Sequence, residues 1–295
     1  MNVRPATADD FDAMLELLLE EEEQVNGRPA TIGLEDLRTW LSSTDLEHDS
    51  YLFESDGGLA AFGWCEPEPG GDVSVAIGAI RPGWKGRGLG SQLLERAEAR
   101  ARTHGAGRLH QIVLGRDDRA PQLLQAQGYR EVRRFYEMAI QLEQAPTVPD
   151  LPIETFREED ARAFHDALDE SFQDHWEHHG VGFDEWWRRH TSRESFDPSL
   201  WFLIRDGGEV AAVVRNDANR NGGGYVGALG VRRLWRGRGY AKALLLRSFR
   251  EFFDRGMPRV TLGVDAENPT GATHLYERVG MHVEAENVVW EKALA

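Results

Sequence analysis

The chain has 295 residues, with 34 Lys and Arg against 50 Asp and Glu, a formal charge of −16 at pH 7 and a hydrophobic fraction of 41%. At roughly 100–200 residues per domain this length favours two compact units, and the negative charge argues against nucleic-acid phosphates or anionic lipids as partners. No apolar run approaches the roughly 18 residues of a membrane span and the N-terminus lacks a signal-peptide stretch, so the expectation is a cytoplasmic protein, and the lone Cys65 excludes an intrachain disulfide.

In chain order, a first helix is predicted after Thr7, with Asp10 three positions on and Phe11, Met14, Leu15, Leu18 and Leu19 at helical spacing. SYLFE, the turn Asp56-Gly57-Gly58 and LAAFGWC read as a β-hairpin. VSVAIGAI follows as a strand, running into a Gly/Arg-rich turn and an amphipathic helix, then the buried strand LHQIVL, a short helix and a last strand. The same order then begins again: Asp160 opens a segment carrying Phe164, Leu168 and Phe172, and LWFLI, Asp206-Gly207-Gly208 and VAAVV form a second hairpin. YVGALGV, a second Gly/Arg-rich turn, a helix and VTLGV complete the repeat.

The repeat is also one of residue identity. Trp84-Lys85-Gly86-Arg87-Gly88 returns as Trp235-Arg236-Gly237-Arg238-Gly239, offset by 151, and Ala120, Leu123 and Gly128 return as Ala272, Leu275 and Gly280, offset by 152. A period near 150 is a domain, since solenoid repeats are far shorter. The proline-interrupted stretch 143–152 is the expected seam, giving copies at 1–144 and 151–295. Each is a mixed α/β unit, a central sheet flanked by helices.

The strand–turn–helix junction at 226–249 is the informative element. Gly237 and Gly239 let the backbone approach a ligand, and the first N–H groups of the following helix have no intrahelical partner. With Arg236 and Arg238 beside them, these donors suit a pyrophosphate. A dinucleotide G-x-G-x-x-G fails at Lys242 and Ser91, and a P-loop needs a Gly-Lys-Ser/Thr that neither turn supplies.

Arg236-Gly-Arg-Gly-Tyr-Ala241 resembles the Arg/Gln-x-x-Gly-x-Gly/Ala signature of the GNAT superfamily of acyl-CoA N-acyltransferases. Asn268-Pro-x-x-Ala272-x-x-Leu275-Tyr276 is similar to the second motif of that family, and the paired layout resembles its tandem members. The resemblance implies a tandem GNAT fold using acetyl-CoA as co-substrate; no metal is expected, because His175, Glu177, His178 and His179 show no H-E-x-x-H or other established ligand spacing. Leu229, Gly230 and Val231 would receive the pantetheine arm along a splayed strand. Arg236, Gly237, Arg238, Gly239, Tyr240, Ala241 and Lys242 would wrap the pyrophosphate. Asn268 would fix the local turn or contact the pantetheine, and Tyr276 would protonate the departing thiolate.

The first copy keeps a turn at Lys85, Gly86, Arg87, Gly88, Leu89 and Gly90, a second possible CoA site, but places Leu124 where the other copy has Tyr276. Leucine donates no proton, so catalysis is expected in 151–295 and the first copy is expected to be degenerate. Its counterpart of Asn268 reads as Arg116 at offset 152, or as Gly115 or Asp117 after a one-residue slip. The acceptor, a primary amine of a small molecule, is expected beside the first helix of the second copy, where Asp174, His175, Trp176 and Trp186 lie with Glu177, His178 and His179. The competing expectation is a non-catalytic acyl-CoA-binding or scaffold protein. The general base and the oligomeric state are left open.

Overall fold

The computed structural model describes residues 1–55, 57–193 and 196–294. Asp56 of the first hairpin turn therefore lies outside the described residues. The chain forms two compact units, Met1–Phe135 with Ala285–Ala295, and Tyr136–Glu284.

In the first unit β1 (Asn2–Arg4) precedes α1 (Phe11–Asn26), α2 (Leu34–Trp40) and α3 (Leu46–Asp49). The chain enters α1 through the reciprocal cap read from the sequence: the Thr7 amide donates to the Asp10 carboxylate at 2.8 Å. The sheet continues with β2 (Ser50–Ser55), β3 (Gly58–Pro67) and β4 (Val73–Ile80). After it come α4 (Leu89–Thr103), β5 (Arg108–Leu114), α5 (Ala120–Ala126) and β6 (Arg130–Gln141), whose residues from Tyr136 on belong to the second unit. β4 and β5 are parallel, and Met14, Leu17, Leu52, Phe62 and Trp64 are buried between helix and sheet.

The second unit contains β7 (Ile153–Thr155), α6 (Ala161–Phe172), α7 (Phe183–Thr191), β8 (Phe202–Asp206), β9 (Glu209–Arg220) and β10 (Gly223–Val231). Then follow α8 (Tyr240–Asp254), β11 (Arg259–Asp265), α9 (Ala272–Arg278) and β12 (His282–Ala293). Its strands are ordered β6-β11-β10-β9-β8-β7, with α8 burying Leu244, Leu245, Phe249 and Phe252 in the core.

The expected boundaries at 144 and 151 are corrected at the last strand. Residues 285–295 belong to the first unit, because β12 pairs antiparallel with β5 from Asn287↔Leu114 to Ala293↔Arg108. Trp290 is buried in that core, and the Glu291 carboxylate accepts from Arg108 at 3.1 Å, Arg130 at 2.8 Å and His110 at 3.2 Å. Pattern alone could not assign this strand, since alternation specifies a face and not a neighbour.

Candidate active site

The parallel pair at the centre of the second unit comes apart. β10 and β11 are in register at Gly224↔Val260 and Tyr225↔Thr261, and among the described residues the ladder stops there. On its other edge β10 stays paired with β9 as far as Val231↔Ala212, with an extra residue at Gly227 between the pairs Val226↔Asn216 and Ala228↔Arg215. The bulge bends β10 away from β11, so residues 227–231 present backbone groups on a strand edge that another extended chain can join. Gly230 is needed on the opposite face, where a Cβ would stand 2.8 Å from Ser171 of α6.

The gap leads to the Gly/Arg-rich turn. Gly237 (φ +79°) and Gly239 (φ +84°) are both left-handed, and a Cβ on either would meet nothing within 4 Å. Open space in front of the turn and the uncapped first amides of α8 together form a cradle that suits an anion. Its cations are held from outside. Arg238 donates to Asp206 at 2.6 Å, and the same carboxylate oxygen accepts from Trp235 Nε1 at 3.0 Å and the Tyr240 hydroxyl at 3.5 Å. Arg236 donates to Asp174 (3.4 Å) and to the carbonyls of Val231 (3.3 Å) and Ser171 (3.4 Å). The exposed Lys242 lies one residue into the helix beyond Ala241.

Tyr276 sits on α9 with 8% of its surface exposed, and its hydroxyl has no hydrogen-bond partner among the described residues. Burial, with Tyr225 adding to it, pushes its phenol up to about 12. Such a group stays protonated and can release a proton only to a strong base such as a thiolate. Asn268 shapes the approach to this helix: its Oδ1 accepts from the Thr270 amide at 2.8 Å.

Of the residues expected at the acceptor site, Asp174 faces the cradle instead, and its hydrogen bond from Arg233 holds its carboxyl below the usual range. His175 lies tilted against Phe172, with ring centroids 4.3 Å apart, and burial lowers its imidazole below the ordinary value. Trp176 is half-buried, while Trp186 belongs to the aromatic core and also walls a cleft of about 190 Å³. That cleft takes His165, Leu168, Asp169 and Phe172 from α6, His178, His179 and Val181 from the following loop, and Ala228 from β10. The sequence reading passed over the α6 residues, although their spacing of three, four and seven places them on one helix face. It also passed over Asp206 as a site residue, although the repeated Asp-Gly-Gly marked it.

The first unit departs at the same positions. β4 and β5 remain paired over four residues, Val73 to Ala76. Lys85 is turned inward, its side chain 12% exposed and its ammonium 3.1 Å from Glu21 and 3.5 Å from Asp117. Gly86 and Gly88 keep the left-handed turn, Arg87 stacks on Trp84, and the buried Leu89 and then Gly90 begin α4. The counterpart of Asn268 is Asp117 rather than Arg116, because Asp117 makes the same side-chain turn, accepting from the Arg119 amide at 2.8 Å.

Among the described residues no helix is long and apolar enough to cross a membrane. The acetyltransferase (GNAT) family profile matches residues 11–129 and 161–281. Over 272 residues the chain is 28% identical to a mycothiol acetyltransferase of Thermobifida fusca, covering 82% of each chain, and over 248 residues it is 31% identical to a mycothiol acetyltransferase of Thermomonospora curvata, again covering 82% of each. Its structure is similar to that of a GCN5-related N-acetyltransferase from Sphaerobacter thermophilus, with TM-score 0.86, 31% identity and coverage of 99% and 95% of the two chains. A tandem GNAT protein from the clavulanic acid biosynthesis pathway shares the fold at TM-score 0.74 and 16% identity, with 100% and 98% covered.

Proposed function

The chain belongs to the GNAT acetyltransferase family and is an acyltransferase, and on that premise we propose that its second unit transfers an acetyl group from acetyl-CoA to a primary amine of a small molecule by direct attack. The observation that carries the reading is the parting of β10 from β11 after Tyr225, which leaves a free strand edge running towards the Gly237/Gly239 turn, in a unit that also buries the phenol of Tyr276. Acetyl-CoA supplies the activated acyl carbon. Residues 227–231 align the pantetheine arm as an added strand, and the turn with Arg236 and Arg238 takes the pyrophosphate. Tyr276 holds the proton that the sulfur receives as its bond to the acyl carbon breaks, and no covalent enzyme intermediate is needed.

The names of the full-length relatives favour a narrower version, in which the acceptor is that of the mycothiol acetyltransferases. The test is release of free coenzyme thiol from acetyl-CoA against a panel containing that acceptor, glucosamine and simple α-amino amides, comparing the native protein with Tyr276→Phe. Turnover with one or more acceptors and its loss in the variant is the expected result. Acetyl-CoA binding without turnover across the panel overturns the reading.

A further inference from the structure

An amine acceptor reaches the enzyme largely protonated at neutral pH, since a free α-amino group has a pKa of about 8. Its proton must leave before nitrogen can attack. β10 carries no carboxylate to take it. Asp217, on the neighbouring strand, is committed to Arg215 at 2.9 Å and faces Arg220 at 3.7 Å. Asp174 is committed to Arg233 and Arg236.

The cleft between α6, the loop after it and Ala228 of β10 offers a different group. His178 Nε2 lies 3.2 Å from Asp169 Oδ1, and the two side chains are 23% and 32% exposed. A carboxylate at Nε2 fixes the tautomer with the hydrogen there, leaving the lone pair at Nδ1. The other cleft histidines are less suited. His165 has Nδ1 3.0 Å from Asp166 and Nε2 2.8 Å from the Val181 carbonyl, so both nitrogens are occupied, and His179 is the more exposed at 42%, facing Glu177 at 3.8 Å. Ala228, on the far wall, belongs to the same freed stretch of β10 that would align the thioester.

We propose that His178, oriented by Asp169, is the base that takes the proton from the acceptor's ammonium group, which makes the cleft lined by Leu168, Phe172 and Ala228 the amine site. The assignment rests on the acetyl-transfer reading. The balance is complete: the ammonium proton passes to His178 Nδ1, nitrogen bonds to the acyl carbon, the carbon–sulfur bond breaks and sulfur takes the proton of Tyr276. The proton then held by the imidazole and the one released from the amide nitrogen leave one to restore Tyr276 and one for solvent. The titratable groups around His178 are Asp169 and His165 from α6 and His179 from the loop, with His175 also within electrostatic reach and Glu177 facing His179, while among the described residues β10 and α7 line the cleft with Ala228 and Trp186.

The experiment is the pH dependence of kcat/KM for His178→Gln, His178→Ala and Asp169→Asn with the best acceptor of the panel, alongside acetyl-CoA affinity and thermal unfolding. At pH 7 the His178 variants should lose about 10²-fold in kcat/KM, with acetyl-CoA affinity unchanged. That deficit should close to within threefold as the pH rises past the acceptor's own pKa, where the amine arrives neutral. Asp169→Asn should show a smaller deficit with the same closure. A deficit constant with pH, or none, overturns the assignment while leaving acetyl transfer intact. A native protein inert to every acceptor overturns the acetyl-transfer reading and the assignment with it.

Discussion

Leu124 and Tyr276 occupy the same place in the two units. Each carbonyl accepts from the amide five residues on, Tyr129 at 2.9 Å and Met281 at 3.0 Å, around a left-handed glycine, Gly128 or Gly280. The two helices end in one motif, and the side chain at that position is buried in both, as hydrocarbon in one and as a phenol in the other. Tyr276→Phe should therefore lower kcat by about 10²-fold or more with little change in acetyl-CoA affinity, and Leu124→Tyr should restore none of it. Because burial holds the phenol near 12, proton donation should persist with rising pH beyond the ordinary tyrosine pKa of about 10. A fall in the native rate centred near pH 10 and absent from Tyr276→Phe would contradict this.

Arg236 and Lys85 are counterparts in sequence with different partners, Asp174 for the one and Glu21 and Asp117 for the other. Arg236→Ala should weaken acetyl-CoA binding about tenfold, measured by titration calorimetry, because a charge-assisted contact is worth about 1.5 kcal/mol. Lys85→Ala removes the cation between Glu21 and Asp117. Its expected effect is a loss of about 3 kcal/mol in stability with second-unit affinity unchanged, seen by denaturant unfolding.

Asp206 gathers Trp235, Arg238 and Tyr240 on one oxygen. Asp206→Ala should free the turn and raise KM for acetyl-CoA roughly fivefold, about one hydrogen bond's worth, with kcat nearly unchanged. An equal fall in kcat would place Asp206 closer to the reacting atoms than the geometry does.

Glu291 supplies a pH-dependent test of the last strand. Burial works against its charge, but hydrogen bonds from Arg130, His110 and Arg108 outweigh burial and bring its carboxyl down to about 2. A depressed carboxyl contributes stability that is present above the unfolded value of about 4.3 and is lost as the pH falls through the folded value. Glu291→Gln should cost about 3 kcal/mol at pH 7, and the native and variant unfolding curves should converge towards pH 2.

Much of this arrangement was legible in the sequence. The left-handed turn was readable because its paired glycines answer to one backbone geometry, and the equivalence of Leu124 and Tyr276 because both stand in the same repeated segment. The acid partners of the turn were not readable. Asp174 and Asp206 reach Arg236 and Arg238 from segments 62 and 32 residues away, a proximity that only folding creates. Asp174 looked like an amine ligand because it stood in a run of histidines, whereas the arginines across the cradle claim it. His178 was seen within that run, but Asp169, which orients it, lay in a helix face read as structural.

The pairing of residues 287–293 with β5 has a consequence for synthesis. The first unit to emerge from the ribosome is the last to be completed, since its sheet waits for a strand translated after the whole of the other unit. A nascent chain interrupted within that stretch would carry a finished second unit and a first unit with an open hydrogen-bonding edge, a ready target for aggregation or proteolysis.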